Sequence, residues 1–184
     1  MEGLAEEVRL ILDEAGLEYV KIVLSSDLNE YKIDGYTKDN APVDFYGVGT
    51  ELITAKPVAA LSGVYKLVED DLGPRIKLSE SKRTYPGKKQ VYRITTNNSY
   101  LYDVLELEGH SHEGTPLLSL AVKDGEIVRE KQSLVEIREY CHECVKRLPP
   151  EVKTVHVEKP YMLRIGAGLE RLTEQLIEKY SNHY

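Results

Sequence analysis

Apolar residues recur at helical spacing near the start of the chain, where Leu4, Val8, Ile11, Leu12 and Ala15 share one stripe. Gly16 follows, the residue type that most often closes a helix. "YVKIVLS", 19–25, then predicts a short strand rich in β-branched residues. Ser25, Ser26 and Asp27 are helix-capping types, and Asp27 with Glu30 has the form of a capping box. A second helix is therefore expected to about Ile33, with Gly35 as its exit. "PVDFYG", 42–47, predicts the next strand. The first quarter reads α-β-α-β, each strand running into a polar or glycine-rich loop, which is the order of a parallel α/β structure.

After Thr50 the period changes. "VYKLVED", "PRIKLSE", "KQVYRIT" and "YLYDVLEL" alternate as strands, with turns at "DDLGP" and "YPGKK". "TPLLSLAV" and "EIVRE" flank Lys123-Asp124-Gly125, a hairpin signal. The middle of the chain is thus expected to be antiparallel. Two helical patterns close it, one from Ser133 to Leu148 before Pro149-Pro150, the other from about Gly168 to Tyr180 with Leu169, Leu172, Leu176 and Ile177 on one face. The expected segments are 1–60, 61–132 and 133–184. A full (β/α)8 barrel takes about 250 residues. With 184 residues and two parallel strands, the opening segment reads as part of a barrel rather than a whole one.

Composition narrows the partners. Hydrophobic residues are 41% and charged residues 30% of the chain, a soluble globular balance. The net charge of -7 argues against duplex nucleic acid, which selects basic surfaces. No apolar run reaches the roughly 18 residues of a membrane helix. The acidic, amphipathic N-terminus has no signal-peptide pattern, and two cysteines make no disulfide framework. A cytoplasmic location is expected.

Four stretches could carry chemistry. Gly47-Val48-Gly49-Thr50 sits at a strand exit, where bare backbone N–H groups and a hydroxyl can cup a phosphate, or where a tight turn simply needs glycine. Ser25-Ser26-Asp27 is either a helix cap or the ribose and phosphate side of the same strand-end face. "KLSESKRTYPGKKQVYR", 77–93, concentrates basic residues, and Lys77, Lys82 and Lys88 could reach an anionic ligand or simply face solvent. "CHEC" sits in a helical pattern that puts Cys141 and Cys144 on the stripe of Ile137 and Leu148. Small buried hydrophobes are the simpler reading. A zinc site built with His110 and His112 is the alternative. No nucleophilic triad is evident, and Asp13, Glu14, Glu30 and Asp44 suggest no acid–base pair.

Together, "KIVLSSDLNEYKI", "PVDFYGVGTELIT", "GVYKLVEDDLGPRIKLSESKRTYPGKKQVYR" and "SLVEIREYCHECVKRLP" resemble consecutive motifs of nicotinate phosphoribosyltransferases. The resemblance implies a type II phosphoribosyltransferase fold, an irregular α/β barrel with a sandwich domain, and active sites at a homodimer interface. It implies nicotinate and phosphoribosyl pyrophosphate as substrates, nicotinate mononucleotide and pyrophosphate as products, Mg²⁺, and in many members coupling to ATP. It places the 5′-phosphate on Gly47, Gly49 and Thr50, and the ribose side on Ser25 and Asp27. Ser26 departs from the pattern, standing where a glycine is often found. Members of the family are about twice as long, so the expectation is a C-terminal half, inactive without its N-terminal half. A non-catalytic phosphate-binding or assembly module is the alternative.

Overall fold

The computed structural model describes residues 2–60, 63–79, 82–156 and 159–181. They fall into two compact units, Met1–Val64 and Tyr65–Tyr184.

In the first unit, helix α1 (Glu2–Glu14) forms where predicted, but it buries Ala5, while Leu4, Val8 and Ile11 of the predicted stripe stay exposed. Gly16, at φ +70, turns the chain out of it. Arg9 fixes the exit, donating from Nη1 to the Val20 carbonyl (2.9 Å) and from Nη2 to that of Leu17 (3.1 Å). Those carbonyls are therefore spent before the sheet begins. The amide of Ile22 is spent too, donating to the Asp44 carboxylate at 2.8 Å, while Lys21 pairs with the other Asp44 oxygen at 2.8 Å. Strand β1 consequently runs only Val23–Ser25, shorter than the predicted 19–25, and β2 only Phe45–Gly47. The two pair in parallel, as expected, with Val23 opposite Phe45 and Ser25 opposite Gly47.

Helix α2 (Glu30–Lys38) departs from expectation at both ends. Its cap is Asn29, whose side chain accepts from the Lys32 amide at 3.0 Å; Ser25, Ser26 and Asp27 do not cap it. It continues through Gly35 to Lys38, stabilised at its end by an Asp34–Lys38 pair one turn apart. The chain reaches Asn29 through Leu28, which is 1% exposed and anchors the turn in a small core with Ile22 and Leu24. That turn holds Ser26 at φ 104 and Asp27 at φ 46. A side chain at φ 104 is strained where glycine is not. Ser26→Gly should therefore stabilise the protein by about 1 kcal/mol, read as a higher urea midpoint for the full chain; a lower midpoint would show the serine to be preferred. A single turn, α3 (Thr50–Ile53), follows β2.

The second unit is built on a four-stranded sheet. Strands β3 (Glu69–Asp70) and β4 (Gly73–Pro74) form only a short antiparallel ladder beside it, in place of the longer predicted "VYKLVED" and "PRIKLSE". Tyr65 and Leu67 in the first of these are exposed, so alternation there buries no face. Glu80 and Ser81 lie outside the described residues. Strands β5 (Lys89–Thr96) and β6 (Ser99–Leu107) make a long hairpin. Its turn is Asn97-Asn98, with φ 46 and 63, the left-handed pair that tight hairpins need. Strand β7 (Thr115–Pro116) joins β5, and β8 (Val122–Lys123) and β9 (Glu126–Ile127) form the expected hairpin at Asp124-Gly125. Helix α4 (Leu134–Arg147) starts at Ser133, which makes a full capping box with Glu136.

Strand β10 (Leu163–Ile165) was not predicted. It pairs in parallel with β6, giving the order β10-β6-β5-β7 and making the sheet mixed rather than antiparallel. Helix α5 (Ala167–Ser181) follows at once and packs on β6, burying Leu169, Thr173 and Leu176. Each such leucine contributes roughly 1.5–3 kcal/mol. Among the described residues no sheet closes into a barrel.

Candidate functional site

Two of the predicted stretches meet at one place. Because Ser25 lies opposite Gly47 at the end of the parallel pair, Ser25–Asp27 and Gly47–Thr50 leave the sheet side by side from its C-terminal edge. Ligands in parallel α/β structures gather outside this edge. The Ser25 hydroxyl donates to the Gly47 carbonyl at 3.3 Å, tying the two exits together.

The glycines of the loop have different reasons. A Cβ on Gly47 would lie 3.1 Å from Ser25 Oγ and 3.2 Å from its Cβ, so Gly47 is set by strand pairing. A Cβ on Gly49 would meet nothing within 4 Å. The space above Gly49 is open. Val48, between them, is the loop's apolar anchor and lines a cavity of about 420 Å³ with Ile33, Leu52 and Ala55. Thr50 opens α3 and is exposed. Its hydroxyl has no partner among the described residues, and neither does the Asp27 carboxylate. The first amides of a helical turn have no helical acceptors. The two strand exits thus carry one unengaged hydroxyl, at Thr50, and one unengaged carboxylate, at Asp27.

The basic candidates belong to the second unit. Lys77 lines a cavity of about 420 Å³ with Lys66, Arg75, Tyr65 and Thr84, and the Lys77 amide donates to the Thr84 hydroxyl at 3.3 Å. Arg75 is held by Asp70, 2.8 Å away, and the carboxyl of Asp70 is lowered by that bond. Lys82 is exposed. Lys88 is already engaged by Glu69, its amide at 3.2 Å and its ammonium at 3.6 Å.

The four residues of the alternative zinc reading are not brought together. Among the described residues no three His, Cys, Asp or Glu side chains stand where a metal ion could be held. His110 lies 3.9 Å from Glu106, His112 stacks on Tyr92 with centroids 5.6 Å apart, and Cys144 accepts a hydrogen bond from the Tyr100 hydroxyl. Cys141 is exposed and Cys144 half-buried, which corrects the reading of both as buried hydrophobes. The reason is that α4 has no buried residue at all.

Sequence reasoning missed two polar clusters. Glu106 is buried on β6, and its carboxylate accepts from the amides of Leu107 (2.7 Å), Gly168 (3.1 Å) and Leu169 (2.8 Å). It is the anionic cap of α5. A Cβ on Gly168 would lie 2.8 Å from Glu106 Oε1 and still closer to the His110 ring, and one on Gly166 would overlap the carboxylate. The signal was present in "IGAG", a glycine pair at a helix start. The second cluster is Arg93, which donates to Asp103 from Nε (2.9 Å) and Nη2 (2.8 Å) and lies 4.5 Å over the Tyr100 ring.

Comparison with known proteins gives these features a context. Residues 106–173 match the model of the nicotinate phosphoribosyltransferase C-terminal domain, a span that contains both Glu106 and the helix start it caps. A nicotinate phosphoribosyltransferase of Mycobacterium tuberculosis is 35% identical over 84% of this chain and 34% of its own length. One from Bacillus subtilis is 44% identical over 53% of this chain and 21% of its own. The human enzyme is 28% identical over 94% and 38%, respectively. The crystal structure of human nicotinic acid phosphoribosyltransferase superposes with a TM-score of 0.72 at 24% identity, covering 95% of this chain and 38% of that one. The chain spans about a third of the length of the first relatives it matches. By sequence and by fold it is a relative of the nicotinate phosphoribosyltransferases and corresponds to the C-terminal part of that family.

Proposed function

We propose that the chain serves as the C-terminal part of a nicotinate phosphoribosyltransferase, which joins nicotinate to phosphoribosyl pyrophosphate and releases nicotinate mononucleotide and pyrophosphate in NAD synthesis. The observation that carries this reading is the pair of adjoining strand exits at the C-terminal edge of a parallel sheet, with open space beside Gly49. Thr50 and the loop amides hold the donor's 5′-phosphate, and Ser25, Ser26 and Asp27 face its ribose.

The reaction breaks the bond from the sugar C1 to pyrophosphate, which leaves with the electron pair, and forms the bond from C1 to the nicotinate nitrogen. The sugar is oxocarbenium-like between the two, so catalysis rests on holding both ends of the donor still. Anchoring of the 5′-phosphate supplies one end. Within the second unit, Lys66 and Lys77 line a cavity of their own beside the Asp70-paired Arg75, with Lys82 nearby in sequence. Mg²⁺ would neutralise pyrophosphate, but the described residues group no three ligands for it, so it would arrive with the substrate or be held elsewhere. ATP coupling, the nicotinate pocket, a cytoplasmic homodimer and inactivity of this part alone belong to the same proposal.

A self-sufficient phosphate-binding module would cover its apolar faces. Here Val23 and Phe45, paired on β1 and β2, remain 62% and 58% exposed, and Leu52 and Ile53 are more so. Two strands with bare apolar residues fit a barrel wall completed by further strands better than a free-standing module. In the assembled enzyme, Thr50→Val should weaken phosphoribosyl pyrophosphate binding about tenfold, the value of one hydrogen bond to a charged group. Calorimetric titration reads this, and unchanged affinity would move the phosphate off Thr50.

A further inference from the structure

The "CHEC" motif has no part in the proposed reaction. Helix α4 is fastened to the β5–β6 hairpin at its last turns. The Tyr100 hydroxyl donates to Cys144 Sγ at 3.4 Å, the Arg147 guanidinium lies 4.5 Å over the Tyr100 ring, and Arg147 Nε donates to the Asn98 carbonyl at 3.0 Å. No residue of α4 is buried, so this small polar contact is a large part of what holds the helix. One of its members is a thiol, and a second thiol, Cys141, stands exposed one turn earlier.

On a helix, residues three apart have Cβ atoms about 5–6 Å from each other. A disulfide needs about 3.5–4.5 Å. A slight unwinding of the helix therefore closes the gap. Drawing Cys144 Sγ toward Cys141 competes with the hydrogen bond it accepts from the Tyr100 hydroxyl.

From this geometry we infer that Cys141 and Cys144 are a redox-responsive dithiol whose oxidation releases α4 from the hairpin. The oxidant is a low-molecular-weight disulfide of the glutathione class. The exposed Cys141 thiolate attacks one sulfur of that disulfide and expels one thiolate. The Cys144 thiolate then attacks the Cys141 sulfur and expels the second. Two protein thiols give up two electrons and two protons, and the small disulfide becomes two thiols. A bond that needs local unwinding is readily reduced again, as in labile rather than structural disulfides.

The test uses the full chain equilibrated with mixtures of reduced and oxidised glutathione, quenched by alkylation and read by mass spectrometry. Both cysteines fall in one tryptic peptide, Glu139–Lys146, so an internal link is seen directly as the loss of two hydrogens. Expected are that form without retained glutathione, its absence in Cys141→Ser, and tryptic cleavage after Lys146 and Arg147 several-fold faster in the oxidised protein. Tyr100→Phe, which removes the hairpin's hydroxyl from the sulfur, should shift the oxidation midpoint several-fold toward more reducing mixtures. Two retained glutathiones, a link between chains, unchanged cleavage on oxidation, or an unmoved midpoint in Tyr100→Phe would overturn the inference.

Discussion

Glu106→Gln should cost the second unit about 3 kcal/mol, among the largest effects of any single polar substitution in the chain. The carboxylate accepts three amides, two of them opening α5, and is itself buried. Glutamine keeps one acceptor and turns an NH2 group toward donors. The pH dependence separates this role from simple packing. Burial pushes the Glu106 carboxyl up, but the amides of Leu107, Gly168 and Leu169, with His110 beside them, outweigh it, and the net value falls below the usual 4.5. A group whose folded value is depressed stabilises fully above its unfolded value and loses that contribution as pH falls through the folded one. The gap between the native protein and Glu106→Gln in urea unfolding, followed by circular dichroism, should therefore be constant at neutral pH and narrow below about pH 4.5. A gap that ignores pH would assign Glu106 a steric role only.

Asp103→Asn should be nearly as damaging, at about 2–4 kcal/mol. Asp103 is buried opposite Arg93 in the hairpin register, receives both guanidinium bonds, and also accepts from the Tyr161 hydroxyl at 3.3 Å. Asparagine leaves Arg93 with one good partner and an NH2 facing its own charge. Replacing both residues, as Arg93→Met with Asp103→Leu, removes the orphaned charge and should recover much of the loss. A double-mutant cycle reads this as a coupling of about 2 kcal/mol, and additive losses would show the pair to be independent.

What was legible in the sequence followed local chemistry. The helix opening after Ser133, the hairpin at Asp124-Gly125 and the parallel pairing of β1 with β2 were all readable from short-range pattern. Strand lengths were not, because Arg9 and Asp44 take backbone groups out of the ladder from a distance in sequence. The Asn29 cap was hidden behind three better-known cap residues that the turn at Ser26 and Asp27 diverts. Strand β10 was hidden by its shortness, since three residues show no period. At the candidate site the glycine loop was legible, but its pairing with Ser25 needed the register, and the Glu106 cap joins residues about sixty positions apart.

The central claim is that this chain completes a phosphoribosyl-transferring active site. Its most direct test is to join the chain, covalently or by mixing, to the N-terminal two thirds of a nicotinate phosphoribosyltransferase and to follow nicotinate mononucleotide by chromatography. Neither part alone should form product from nicotinate and phosphoribosyl pyrophosphate, and the well-folded assembly should. A well-folded, associated assembly that forms none would contradict the claim.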